Sequence, residues 1–224
     1  MLIQVPLPNV TKSIRRQFER QLQAIQKDAL RMGALVEQSC RFAHRALFKR
    51  DLSVVDTLAT QDKQIDQLYR HIEVQCLQLI ALQSPVANDL RLIGALIQLI
   101  RDLERIGDYA EDISEVAVKL FPYPVAAYMP EIEHMSELCQ GMLALSLSAL
   151  TQLDAQAGLQ VKIEDDAVDD CYDRLYTVLA HQPVEHGSAE PLLLSMLVIR
   201  SLERMADHAT NIGQRVAYIV TGQR

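Results

Sequence analysis

The sequence predicts an all-α protein built as two tandem three-helix bundles, six long antiparallel helices in all. Three observations carry this: a composition poor in sheet signals, apolar residues that step by three and four, and a motif that occurs twice. The chain has 224 residues, 49% of them hydrophobic, with no Trp, 8 Gly and 8 Pro. That is enough apolar material for real cores, and few β-branched alternations compete with helical patterning.

Taken in order, helix one has an apolar stripe at Ile14, Phe18, Leu22, Ile25, Ala29, Met32 and Val36, and the pattern continues to about Lys49 despite Gly33. A break falls at Asp51-Leu-Ser53, where a serine can cap helix two. The segment Ser84-Pro-Val-Ala-Asn-Asp89 ends helix two and starts helix three. Helix three carries a heptad seam of Leu92, Leu96, Leu99, Leu103, Ile106, Ala110, Ile113 and Ala117, stepping alternately by four and three. Two prolines within Phe121-Pro-Tyr-Pro-Val125 then break the chain, which divides it into residues 1–121 and 122–224. The second half breaks again around Asp154 to Gly158 and from Gln182 to Pro191. Its last helix keeps the seam register at Val198, Leu202, Met205, Ala209, Ile212, Val216 and Ile219. One amphipathic helix cannot bury its stripe alone, and short connections favour antiparallel neighbours, so each half closes as a three-helix unit.

Internal repetition supports that division. Arg101 to Ala110 and Arg200 to Ala209 share the frame R-x-L-E-R-x-x-D-x-A, and Ile113 and Ile212 each follow three residues after the closing alanine. Upstream, Gln61-Asp-Lys-Gln-Ile-Asp66 parallels Glu164-Asp-Asp-Ala-Val-Asp169, with Tyr69 and Tyr172 at matching places.

The register also says where the repeated acids point. If Leu103 and Leu202 lie on the seam, then Glu104, Asp108 and Asp112, and likewise Glu203, Asp207 and Asn211, lie off it on the outward side. Residues four apart on a helix are neighbours, so each E-x-x-x-D sets two carboxylates side by side, as do Asp62 with Asp66 and Asp165 with Asp169. Should helices two and three pack together, each unit collects four carboxylates in one patch, where like charges repel unless a cation intervenes. All these donors are hard oxygens, suited to magnesium, calcium, manganese or iron, with zinc also open. The plain alternative is a solvated helix face whose acids pair with Arg101, Arg105, Arg200 and Arg204 for little net gain.

Other partners are bounded by charge and cysteine usage. A formal charge of -7 argues against nucleic acid, although Lys12, Arg15, Arg16 and Arg20 could form a local basic patch on helix one. Cys40, Cys76, Cys139 and Cys171 lie far apart and read as reduced core residues. The stretch Met1-Leu2-Ile3-Gln4-Val5-Pro6 lacks the pattern of a signal peptide, and no apolar run suits a membrane span. The expectation is a cytoplasmic protein.

The segments Leu103-Glu-Arg-Ile-Gly-Asp108 and Leu202-Glu-Arg-Met-Ala-Asp207, with the lead-in Pro85-x-x-x-Asp-Leu-Arg91, resemble the PhoU family over roughly Lys12 to Tyr218. The resemblance implies a peripheral cytoplasmic negative regulator of the phosphate response, acting between a phosphate ABC transporter and a sensor histidine kinase, commonly as a homodimer. It also implies divalent or trivalent metal ions (iron, zinc, manganese or magnesium) held by Asp62, Asp66, Glu104, Asp108 and Asp112 in the first unit and by Asp165, Asp169, Glu203 and Asp207 in the second. Two departures stand out: Asn211 replaces the acid found at Asp112, and the lead-in to helix six lacks Asp-Leu-Arg. A neutral ligand leaves less charge for a cation, which predicts a weaker second site.

The competing class is a carboxylate-bridged metalloenzyme. Such bundles place a Glu-x-x-His on each of two helices, whereas Glu131-Ile-Glu-His134 stands alone here. His181 and His186 flank a loop, His44 and His71 occupy helix faces without evident partners, and His208 is the one near an acidic motif. No nucleophile beside a base and no phosphate loop is found, so the expectation is not an enzyme. A metal-independent adaptor, docking its acids on basic partners, remains open.

Overall fold

The structure, a computed structural model, describes residues 8–184 and 188–223, with side chains from residue 15 on. The readings of Met1 to Pro6, of the Lys12 and Ile14 side chains and of His186 lie outside the described residues. Six α-helices follow one another: α1 Pro8–Phe48, α2 Val55–Gln83, α3 Asn88–Leu120, α4 Met129–Gln152, α5 Ala155–Ala180 and α6 Glu190–Thr221. No strand occurs among the described residues.

The apolar stripe explains α1: Phe18, Leu22, Ile25, Ala29, Met32 and Val36 are all buried, and the burial continues through Cys40, Ala43 and Leu47. The α1–α2 connection differs from expectation. Ser53 does not cap α2; its amide and hydroxyl both donate to Asp51 Oδ1, at 3.2 and 2.6 Å, around a short 3-10 turn, Leu52–Val54. The N-cap of α2 is Val54, which makes no side-chain capping hydrogen bond. The break between α4 and α5 is also tighter than expected. Asp154 caps α5 by accepting from the amides of Gln156 and Ala157 at 2.9 and 3.1 Å, so Gly158 lies inside the helix.

Helices α1, α2 and α3 pack pairwise, as do α4, α5 and α6, and the two sets meet through α3 against α6 and α1 against α4. Every seam residue expected on α3 and α6 is buried except Leu92 and Ile219, which are half-buried at the ends of their stripes. The Pro-rich connection is held in place by Arg50, whose Nη1 donates to the Tyr123 carbonyl at 3.1 Å and whose guanidinium lies over the Phe121 ring.

The α3–α6 contact carries a buried polar group that the motif had left as a variable position. Asp102, with its side chain 8% exposed, accepts from Arg215 Nε at 3.0 Å and from the Asn211 amide at 3.4 Å, and lies 2.9 Å from His208 Nδ1. Tyr109 and His208 occupy the same place in the repeated frame and stack on each other at 6.0 Å. The helices of the second half approach more closely elsewhere: a Cβ built on Gly158 of α5 would stand 2.5 Å from the Gly213 carbonyl oxygen of α6.

Two outcomes are expected. Gly213→Ala should lower stability in chemical denaturation, because overpacking of about 1–3 kcal/mol outweighs the helix-propensity gain of up to about 1 kcal/mol. Asp102→Ala should destabilise by roughly 3 kcal/mol, the lower end for breaking a buried pair, since Arg215 is left with some access to water.

Candidate metal centre

The α2–α3 groove brings together all five acids expected in the first unit. Asp62 is acted on by Asp66 and Asp112, Glu104 by Asp66 and Asp62, and Asp108 by Glu104, Asp62 and Asp66. The antiparallel course of α2 and α3 does this, because residues advance in opposite directions along facing stripes. Glu104 and Asp108 do not point freely outward as the register alone suggested. They are half-buried under α2, and only Asp112 is exposed.

Partial desolvation and crowding of like charges raise the proton affinity of Asp62, Glu104, Asp108 and Asp112. Burial first, then Glu104, pushes Asp108 up to about 6 against the attraction of Arg105. Burial also raises Asp62, Glu104, Asp112 and the nearby Glu111, with neighbouring carboxylates adding to each. Gly107 contributes shape: a Cβ there would press on Ile65 and come 3.8 Å from Asp62 Oδ1, so its absence lets the two helices close over the acids.

The second unit gathers its acids less evenly. Asp169 is raised by burial and then by Asp165, with Asp207 contributing; Glu203 is raised by burial, with Asp207 and Asp169 adding to it. Asp165, however, is buried at 3% exposure and paired with Lys162 at 2.8 Å. The corresponding groove of the first unit buries Gln61 instead, which donates to Ser39 Oγ at 3.1 Å and leaves Asp62 half-buried. Asn211 is turned away from the acids toward Asp102, so its replacement of an acid serves the contact between the halves.

Chain cations already answer part of this charge. Arg70 pairs with Asp66 at 2.9 Å, Arg105 with Asp108 at 2.5 Å, Arg200 with Glu203 at 2.9 Å and Arg204 with Asp207 at 3.0 Å, each from three or four residues away. Asp62, Glu104, Asp112 and Asp169 form no such pair among the described residues. In neither patch do three carboxylates bring donor atoms within 4.8 Å of one another; among the described residues that spacing is met by His44, Glu133 and Glu137. The acid faces fit a hard cation by donor type, and would grip one by rotating side chains inward.

The histidines sort differently from the sequence reading. His44 has partners on α4, and His71 lies 3.9 Å from Asp28. Glu131 is taken by Arg174 and His134 lies near Glu137, so the isolated Glu-x-x-His does not act as a pair. The cysteines are free and buried, and burial pushes the Cys40 thiol up to about 12. A cleft of about 910 Å³ lies away from the acids between α3 and α6 and is lined by Arg91, Gln98, Arg215 and Tyr218. Arg15 meets Glu19 and Asp89 at 2.9 and 2.5 Å, so it adds little to a basic patch.

A duplicated six-helix protein with a carboxylate groove between the second and third helices of each half is thus defined by fold and site. The PhoU domain model matches residues 29–117 and again 132–216, and the chain belongs to the PhoU family. It is 57% identical over 210 residues, 94% of each chain, to the phosphate-specific transport system accessory protein PhoU homolog of Synechocystis. It is 30% identical over 216 residues to the phosphate-specific transport system accessory protein PhoU of Escherichia coli K12, covering 96% of this chain and 90% of that one. The crystal structure of PhoU from Pseudomonas aeruginosa superposes with a TM-score of 0.85 at 32% identity, covering 92% of this chain and all of that one.

Removing one charge from the first groove should show in the pH dependence of stability. An aspartate titrates near ~4 when unfolded, and Asp108 near 6 when folded. The folded state therefore holds the extra proton in between, and stability falls as pH rises through that window. In chelator, Asp108→Asn should melt above the wild type at pH 7.5, with the difference closing as the pH approaches 4. Parallel melting curves across that range would show that Asp108 is not crowded.

Proposed function

We propose that this chain is a cytoplasmic accessory protein of phosphate transport that restrains uptake and the phosphate-starvation response, working by contact with the transporter ATPase and a sensor histidine kinase, and doing so as a homodimer. Membership of the PhoU family across both halves carries this reading, and the names of its relatives place them in phosphate-specific transport systems. No described helix is long and apolar enough to cross a membrane, so an effect on a transporter would come through surface contact. Exposed Leu82, Val86 and Leu90 around the α2–α3 turn, beside the Asp89-Leu-Arg91 lead-in, offer apolar surface for it.

The acid grooves would hold divalent or trivalent cations through Asp62, Asp66, Glu104, Asp108 and Asp112, and through Asp165, Asp169, Glu203 and Asp207. Such an ion would supply positive charge between carboxylates that otherwise repel, tying α2 to α3 and α5 to α6. The first groove should bind more tightly, since Asp165 is already committed to Lys162 and Asn211 faces the other half. The internal Arg pairs favour a second reading, a metal-independent adaptor whose acids exchange those arginines for basic residues of a partner.

Loss of the protein should leave a phosphate-starvation reporter on in phosphate-rich medium, and a normal response in the deletion strain would overturn the regulatory role. Added manganese or ferrous iron should raise the melting temperature of the chelator-treated wild type by mass action, with most of the gain lost in Asp108→Ala. Binding to the sensor's cytoplasmic region that survives in chelator, yet weakens with salt and on charge reversal at Glu104 and Glu203, would select the adaptor.

A further inference from the structure

The second place where the halves meet, α1 against α4, carries a set of donors outside the acid grooves. Each of His44, Glu133 and Glu137 offers one ligand atom, and the three atoms all lie within 4.8 Å of one another. His44 projects from α1, and both glutamates stand on α4, four residues apart and hence on one face. The Nε2 of His44 is 3.4 Å from Glu133 Oε1. Its other ring nitrogen, Nδ1, lies 3.2 Å from Ser136 Oγ, which accepts the Nδ1 proton in the tautomer that leaves Nε2 free toward the carboxylates; Gln140 Nε2, 3.4 Å away, can only donate and so favours the other tautomer. Metal-ligating histidines are held by their second nitrogen in this way.

The repeat shows that helix packing does not require these polar groups. The buried positions Ala29, Met32, Val36, Cys40, Ala43 and Leu47 of α1 recur with the same spacing as Ile132, Met135, Cys139, Leu143, Ser146 and Leu150 of α4. In that register Leu147 corresponds to His44, Gly33 to Ser136, Leu30 to Glu133 and Ala34 to Glu137. Leu147 packs on Gly33, where a Cβ would come 2.5 Å from its Cδ2. One end of the α1–α4 contact is thus closed by leucine on glycine, while the other carries an imidazole and two carboxylates.

We propose that His44, Glu133 and Glu137 form a site for one borderline divalent cation such as zinc, spanning α1 and α4 and so bridging the two halves of the chain. One imidazole and two carboxylates suit zinc, cobalt or nickel better than the all-oxygen grooves do. Lys49 Nζ now lies 2.6 Å from Glu133 Oε1, but the lysine is 61% exposed and such pairs are weakly held. The entering cation displaces the ammonium, and the exposed Glu137 closes over it.

Zinc titration calorimetry and cobalt(II) absorption on the chelator-stripped full chain would test this. The comparison set is His44→Gln, Glu137→Gln, Ser136→Ala and a variant neutralised in both grooves at Glu104, Asp108, Glu203 and Asp207. Expected are a cobalt spectrum with nitrogen ligation that persists in the groove variant, a zinc affinity lowered on the order of 100-fold by His44→Gln and by Glu137→Gln, and about 10-fold by Ser136→Ala, the lower end for an orienting partner. Glu137 is exposed, so its loss of binding cannot be ascribed to unfolding. Zinc affinity unchanged in either His44→Gln or Glu137→Gln overturns the proposal, as does a cobalt spectrum that vanishes in the groove variant.

Discussion

The constraint on which the rest of the molecule depends is that α3 and α6 must each be covered by three other helices. Helix α3 is packed by α1, α2 and α6, and α6 by α3, α4 and α5. Burial therefore extends beyond a single heptad seam to Ile100, Asp102, Gly107 and Ser114 on α3 and to Ile199, Ala206, Thr210 and Gly213 on α6. Little circumference is left for charged side chains, and the repeated Glu and Asp fall in what remains, at the edge of a neighbour. Glu104, Asp108 and Glu203, which would be ordinary on a free helix, are thereby crowded and partly dried, which is why their protons bind more tightly.

The same packing explains how two copies of one unit became unlike. Where equivalent positions face each other, as with Tyr109 and His208, one chain can place different residues on the two sides. Asp102 meets Arg215, while the corresponding positions of the other copy hold Ser201 and Val116, so a single charged pair is made once and its counterpart is apolar or neutral. Asn211 joins that pair at the expense of the second acid groove. His44 and Ser136 against Leu147 and Gly33 repeat the pattern at the α1–α4 contact.

Period and repetition made the helices, their order and most of the seam legible, because each depends on residues close in sequence or on a frame present twice. The acids of the first groove could be named for the same reason, since E-x-x-x-D fixes their mutual placement on one helix. What could not be read was where an off-seam residue ends up once a third helix covers it. Glu104 and Asp108 were expected to face outward and are half-buried; Asp165 was expected to match Asp62 and is buried with Lys162. Asp102 occupied a variable position in the frame and gave no signal, because its partners lie more than a hundred residues away. His44 seemed without partners for the same reason, its neighbours being on α4.

The arginines of the repeated frame bear on how the grooves can respond to anything that binds them. Arg105 and Arg204 each sit three residues before an aspartate and clasp it, and both also interact with Tyr109 near the join between the halves. Their side chains are about two-fifths exposed, 41% and 40%, so these clasps are of the weak, exchangeable kind. A cation entering a groove and a basic partner protein docking on it would compete with the same two arginines for the same carboxylates. These two arginines therefore stand between the acid grooves and the stacked Tyr109 and His208, where the halves meet beside the buried Asp102.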